Sequence, residues 1–388
     1  MMGQFFYMAL ARAAHQEEVR VGAKVGLEVD LALAHDGTGP KLLQAWEGQQ
    51  GKMHDGHRLL LTVDHAFPAP TPQERAFQKK FAEFAKAQGC VLYNHGEGVL
   101  HQVVAERASL QAGTIIAGAD GHVTTAGAYG ALAFALTAEE LIPVLTSGKL
   151  ELEIPEQLVI ELAGDLPLGV LARDVAFYLI WRLGLELKGK AVAFTGDFIR
   201  KLSAAGRMAL CNILPEAGVL TAFVVPANEE AGPVNYRFDV SGIEAMLAVP
   251  PKPTNIRPAK ELSGEKINVA IAGGCSAGRL EDIEVMAEVL REKPVHPDVT
   301  FIITPASQAV ATAMDEKGIS ALLRQSGAVI MPPGCGPCPG KHFGVLASGD
   351  KAITTTVRNT PGRIGAIDAE IYLASPLTVA QAAVRGTI

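Results

Sequence analysis

Three cysteines stand where they could share one centre: Cys335 and Cys338 in Cys-Gly-Pro-Cys, and Cys275 sixty positions upstream in Gly-Gly-Cys-Ser-Ala-Gly-Arg, which ends at Arg279. Iron–sulfur clusters are normally held by four thiolates. Three would leave one iron of a four-iron cluster open to water or substrate, to be polarised as by a Lewis acid. The same residues admit other readings. Cys-x-x-Cys is also the motif of thiol–disulfide oxidoreductases, in which a low-pKa cysteine starts a helix; here Pro339-Gly340 follows at once and Pro332-Pro333-Gly334 precedes, which supports a helix start poorly. A structural zinc would need a fourth ligand such as His342, although a chain of 388 residues needs no metal to fold. Cys90 and Cys211 read as small buried hydrophobes.

A second set of reactive types lies in the first third. Apolar β-rich runs at 59–63, 91–93 and 114–117 lead into Asp64-His65, His95, and Asp120 with His122. Eight of the ten histidines lie at or before His122, whereas the candidate ligand cysteines all follow residue 270. A single site using both sets must form between domains, and clefts are where such sites lie.

The elements that would position these groups are strands alternating with helical patterns, which argues for α/β architecture with mainly parallel sheets. In the last third, strands are expected at 267–272, 299–303 and 328–331, and helices at 280–290 and 307–324. Cys275 then follows one strand and Cys335 another, and ligands of open α/β sheets bind outside the carboxyl ends of strands. In the middle, strands at 158–162 and 191–195 flank a helix at 171–183, and Cys211-Asn212 and Glu216 lie in a helical stretch ending near Gly218. The segment Thr-Ser-Gly-Lys ending at Lys149 and the proline-rich stretch 249–258, read as a linker, divide the chain into three doubly wound α/β domains at 1–150, 151–262 and 263–388. The glycines after the strand at 267–272 do not match G-x-G-x-x-G, so dinucleotide binding is a weak reading.

Length points the same way, because one core stops growing before 388 residues. With 48% hydrophobic residues, 19% charged residues and a formal charge of -7, the chain reads as a globular protein without a nucleic-acid partner. It has no apolar run long enough for a membrane span. Residues 1–10 lack a basic flank and read as the protein's first segment, not a signal peptide. Five cysteines, an odd number, suit a reducing compartment, so the expected location is the cytoplasm.

Taken in order, these segments resemble the aconitase superfamily, in particular the large subunits of 3-isopropylmalate dehydratase and homoaconitase, over nearly the whole chain. The resemblance is carried by Val-Asp-Leu-Ala-Leu-Ala-His-Asp-Gly-Thr-Gly-Pro at 29–40, Val-Asp-His ending at His65, Leu-His-Gln-Val-Val at 100–104, and Gly-Ala-Asp-Gly-His-Val-Thr-Thr at 118–125. It continues through Arg-Met-Ala-Leu-Cys-Asn ending at Asn212, both cysteine motifs, and Arg-Asn-Thr-Pro-Gly-Arg at 358–363. It implies that Cys275, Cys335 and Cys338 hold a [4Fe-4S] cluster. Asp64, His65, His101, Asp120, His122 and Glu216 are implied as catalytic residues, Asn212 as a residue beside the cluster, and Arg279, Arg358 and Arg363 as substrate-binding residues. The implied reaction is dehydration and rehydration of a 2-hydroxy dicarboxylic acid of the 3-isopropylmalate, homocitrate, citramalate or dimethylmalate type. The resemblance further implies a separate small subunit carrying the swivelling domain and the catalytic serine, since the chain ends at Ile388 where one-chain aconitases continue. Three positions depart from the family: Gly121 stands for serine, Ala277 for asparagine and Val357 for asparagine. Those losses leave open a non-catalytic member that binds a partner or senses iron.

Overall fold

The computed structural model describes residues 4–49, 51–94, 96–341 and 343–388; His95 and His342 lie outside them. Among the described residues three larger sheets follow one another along the chain, beside a two-stranded one. The first contains, in spatial order, Val91–Tyr93, Leu59–Thr62, Leu31–His35, Ile115–Gly118 and Leu132–Ala135, all parallel. Its strands read as unbroken apolar runs because parallel sheets are covered on both faces; all four residues of Leu59–Thr62 are buried. The second sheet orders Thr221–Val224, Ala191–Thr195, Gln157–Ala163 and Tyr236–Asp239, again all parallel.

The third sheet has seven strands: Ile256–Pro258, Met246–Ala248, Glu370–Leu373, Lys351–Thr354, Val269–Gly273, Thr300–Thr304 and Val329–Ile330. The last five are parallel, while Met246–Ala248 runs antiparallel to both of its neighbours. The proline-rich stretch expected to be a linker is therefore largely the connection of a β-hairpin inside this sheet. Val249 N–H donates to the Asn255 carbonyl at 2.8 Å, so the prolines occupy a turn at the sheet's edge, where a missing N–H costs no ladder bond. The expected first boundary also cuts an element, since Lys149–Glu153 pairs antiparallel with Lys24–Glu28. The single helix expected at 307–324 is two, Gln308–Glu316 and Ile319–Gln325, parted by Gly318 at φ +71°. A left-handed residue ends one helix and leaves the next to start anew.

The cores run across the sheets. Helix Phe5–Ala13 buries Phe6 and Leu10, and Phe6 stacks on Phe223 of the second sheet with ring centroids 5.5 Å apart. One apolar cluster joins Leu158, Ile160 and Phe194 of the second sheet to Ile271, Ile302 and Ile371 of the third. Among the described residues no helix is long and apolar enough to cross a membrane.

Gly273, the last residue of its strand, adopts φ +119°, and a Cβ there would lie 2.0 Å from the Thr304 carbonyl oxygen. Strain and overlap act together, so Gly273→Ala is expected to destabilise the protein by about 2–3 kcal/mol. A urea midpoint unchanged by the substitution would contradict this.

Candidate active site

The three cysteines are brought to one place by the ends of strands. Cys275 sits on the one-turn helix Gly274–Ala277 that follows Val269–Gly273. Cys335 and Cys338 occupy a turn, and no helix begins there. That turn is pinned from the first sheet, because Cys335 N–H donates to the Asp64 carbonyl at 2.9 Å. Each sulfur has its own nitrogen neighbour: Asn212 Nδ2 at 3.5 Å from Cys275 Sγ, His65 Nδ1 at 3.7 Å from Cys335 Sγ, and Arg363 Nη2 at 3.7 Å from Cys338 Sγ. All three cysteines line one cavity of about 240 Å³. Cys90 and Cys211 are not among its lining residues.

The opposite wall is built from carboxylate–histidine pairs. Asp64 Oδ1 lies 2.7 Å from His65 Nδ1, and Asp64 Oδ2 accepts the Leu100 N–H at 2.6 Å. Burial works to raise the Asp64 carboxyl, but His65 outweighs it and the value falls to about 2. Burial works to lower His65, yet Asp64, Asp36 and Asp120 raise it to about 9. His65 is therefore protonated at neutral pH. Asp120 bridges two rings, with Oδ1 2.8 Å from His101 Nε2 and Oδ2 3.0 Å from His35 Nε2. His122 Nε2 lies 2.9 Å from Glu216 Oε1, which also accepts Arg358 Nε–H at 2.7 Å. Every acid here is paired, as buried charges must be.

Asp64, His65, His101, Asp120, His122, Arg358 and Arg363 thus share the cavity with the cysteines. Glu216 and Asn212 do not line it; the first braces His122 and Arg358, and the second stands behind Cys275 with Nδ2 also 2.9 Å from Thr125 Oγ1. Arg279 is elsewhere. It is 3% exposed and outside the lining, its Nη1 donating to Ser276 O and Asp282 Oδ2 and its Nη2 to Cys275 O. Those bonds turn its guanidinium onto the Cys275 turn and off the cavity lining, so the expectation that it binds substrate gives way to a role in holding that turn.

Two lining groups were not singled out from the sequence. His35 ends strand Leu31–His35 and stacks on His65, centroids 4.0 Å apart and planes 4° apart. Its signal was the strand-end placement that drew attention to Asp64-His65. Lys341 also lines the cavity and, with Arg358 and Arg363, gives it a cationic side suited to carboxylates. His35, Asp36, Asp64 and His65 place four metal-type ligand atoms within 4.8 Å of one another. Asp36 is nonetheless committed to backbone, accepting the N–H groups of Asp64, His65 and Ala66.

The departures from the family have physical counterparts. A Cβ on Gly121 would lie 2.8 Å from Arg358 Nη2, so a serine there would displace the guanidinium. Val357 is 2% exposed and belongs to the apolar cluster between the second and third sheets, although it also touches the cavity.

The surroundings of the cysteines bear on how they can be read. Burial and the nearby Asp64 push the Cys335 thiol well above its ordinary range, the opposite of what thiol–disulfide exchange requires. A single zinc would hold thiolates about 2.3 Å away and hence under about 4 Å from each other. Among the described residues the three sulfurs form no set lying within 4.8 Å of one another. The three sulfurs line one cavity, each with a nitrogen neighbour.

The Aconitase family (aconitate hydratase) pattern matches residues 10–232 and 237–386. The chain is 36% identical to the probable methanogen homoaconitase large subunit of Methanothermobacter thermautotrophicus, covering 98% of this chain and 95% of that one. It is 36% identical to 3-isopropylmalate dehydratase large subunit 1 of Methanopyrus kandleri, covering 100% and 98%. It is 38% identical to the 3-isopropylmalate dehydratase large subunit of Thermococcus kodakarensis, covering 96% and 97%. Among solved structures, the holo form of Thermococcus kodakaraensis aconitase X shares the fold, with a TM-score of 0.57, 13% identity, and coverage of 94% and 92%.

Glu216 yields a pH test. Burial works to raise its carboxyl, but His122 and Arg358 hold it below the ordinary carboxylate range. A carboxyl lowered on folding contributes stability above its unfolded pKa and loses it as pH falls through the folded one. Glu216→Gln should cost about 1–3 kcal/mol at pH 7. The gap should narrow below about pH 4.5 as the native acid protonates. Urea midpoints at pH 7 and pH 4 check this; a pH-independent difference would refute the pairing.

Proposed function

This chain belongs to the aconitase family and is a hydro-lyase, and from that premise we propose that it is the large subunit of a two-chain dehydratase. It removes and re-adds water on a 2-hydroxy dicarboxylate, by way of a cis-unsaturated acid. The observation that supports this is a single cavity combining Cys275, Cys335 and Cys338 with paired histidines and the cations Arg358 and Arg363. The substrate class takes in 3-isopropylmalate, homocitrate, citramalate and dimethylmalate, in keeping with relatives named for the first two kinds of reaction.

Cys275, Cys335 and Cys338 would hold a [4Fe-4S] cluster, which when bound supplies a Lewis acid through the iron that no protein thiolate holds. The remaining work falls to the chain's own side chains. Arg358, steadied at Nε by Glu216, keeps its terminal nitrogens for a substrate carboxylate. Arg363 lines the same cavity with its guanidinium beside Cys338. His65 stays protonated because Asp64 and Asp36 face it, and with Nδ1 occupied by Asp64 the proton it can give to the departing hydroxyl is the one on Nε2. Asp120 fixes the rings of His35 and His101 by their Nε2 atoms.

Proton abstraction from carbon needs a base as well, and we assign it to a serine of the separate small subunit, in line with the large-subunit names of the relatives. All five cysteines are free, in keeping with a reducing compartment such as the cytoplasm.

Two outcomes test the proposal. Anaerobic reconstitution should load roughly four irons and give visible charge-transfer absorption, both abolished by Cys335→Ser; one zinc per chain would sink the cluster. The chain alone should be inactive and gain dehydratase activity with its small subunit, so turnover of 3-isopropylmalate or homocitrate by the isolated chain would refute the two-chain reading.

A further inference from the structure

Arg173 stands in the first turn of helix Ala172–Leu183, on the side of the Cys275 turn away from the cavity, and is 1% exposed. Its Nη2 donates to the Thr356 carbonyl at 2.6 Å, and the guanidinium lies 5.1 Å from the centre of the Phe177 ring. Nε and Nη1 have no hydrogen-bond partner. Such a group is costly to bury, and a native structure keeps it when something compensates.

The neighbouring acids are already engaged. Asp174 accepts the backbone N–H groups of Met246 and Leu171 at 3.0 and 2.9 Å. Asp282 accepts Arg279 N–H at 3.2 Å and Arg279 Nη1–H at 3.4 Å. Arg173 also lines a cavity of about 190 Å³ together with Ser276 and Asp282, at the back of the cysteine turn. Ser276 Oγ donates to Thr355 O at 2.5 Å, so the cysteine turn and the segment leading to Arg358 are tied together next to the Arg173–Thr356 bond.

We infer that Arg173 is the buried counter-charge of the Cys275 thiolate and of the cluster it would hold, a positioning residue that sets the centre's reduction potential. The inference rests on the cluster reading above and adds a determinant outside the active-site cavity. A fixed positive charge in a poorly screened interior favours the more negative, reduced state of the centre. Removing it makes reduction harder.

The test is a redox titration followed by electron paramagnetic resonance on the cluster-loaded complex with the small subunit, for the unsubstituted protein, Arg173→Gln and Arg173→Lys. Arg173→Gln should shift the midpoint to lower potential, while Arg173→Lys, which keeps the charge and loses the fork, should stay near the unsubstituted value. An unchanged midpoint in Arg173→Gln, or an equal shift in both variants, overturns the inference. If Arg173→Gln fails to retain iron while Arg173→Lys retains it at the original potential, the charge is upheld; equal loss in both assigns Arg173 to packing and overturns it. Absence of a four-iron signal in the unsubstituted complex is a different result, and refutes the cluster reading itself.

Discussion

The site depends on one residue held at both ends. The Asp64 backbone carbonyl accepts the N–H of Cys335, while its carboxylate takes His65 and the Leu100 N–H. The same residue therefore ties the cysteine turn of the third sheet to the histidine wall of the first. Its own position is set by Asp36, which accepts the N–H groups of three successive residues beginning at Asp64. Close backbone approach is part of the arrangement, since a Cβ on Gly334 would lie 2.9 Å from the Asp64 carbonyl oxygen. A shift of this junction would move Cys335 and His65 together.

Burying this many acids is tolerable because each has a hydrogen-bonding partner. Asp64 meets His65, Asp120 meets His35 and His101, and Glu216 meets His122 and Arg358. Replacing one partner would leave the other charged and unpaired in a weakly screened interior, which costs far more than losing the pair. The pairing that keeps this wall folded is also what holds His65 protonated. Arg173 is the exception among the buried cations, with neither neighbouring carboxylate bonded to it, and its distinct environment is the back of the Cys275 turn.

Much of this was legible because the fold obeys a local rule. Apolar runs became strands, and the polar residues following them gathered at strand ends, so cysteines and histidines distant in sequence could be expected to meet. The rule applied equally to His35, which was passed over because a histidine closing an apolar run carries no sign of which partner it meets. Two arginines show where sequence runs out. Arg279 looks like a substrate ligand in its motif, but as the residue before helix Leu280–Glu292 its fork turns inward onto Asp282 and the Cys275 carbonyl. Arg173 looks like a solvated charge at a helix start, and only the packing of the second sheet's helix against the third sheet's turn reveals that it is buried. The proline-rich hairpin fails for a related reason: prolines mark a break in ladder bonding, and an edge turn and an interdomain linker both satisfy that.

The replacements at 121, 277 and 357 alter the centre in one direction. Ala277 is fully buried and Val357 nearly so, and Gly121 gives its space to the Arg358 guanidinium. The donors beside the sulfurs, Asn212, His65 and Arg363, act in a weakly polarisable surrounding, where each counts for more. Arg358 gains by the same exchange, because freedom to lie against Gly121 lets its Nε reach Glu216 without a competing hydroxyl. The buried guanidinium of Arg173, next to Ser276, lies in an equally weakly screened interior.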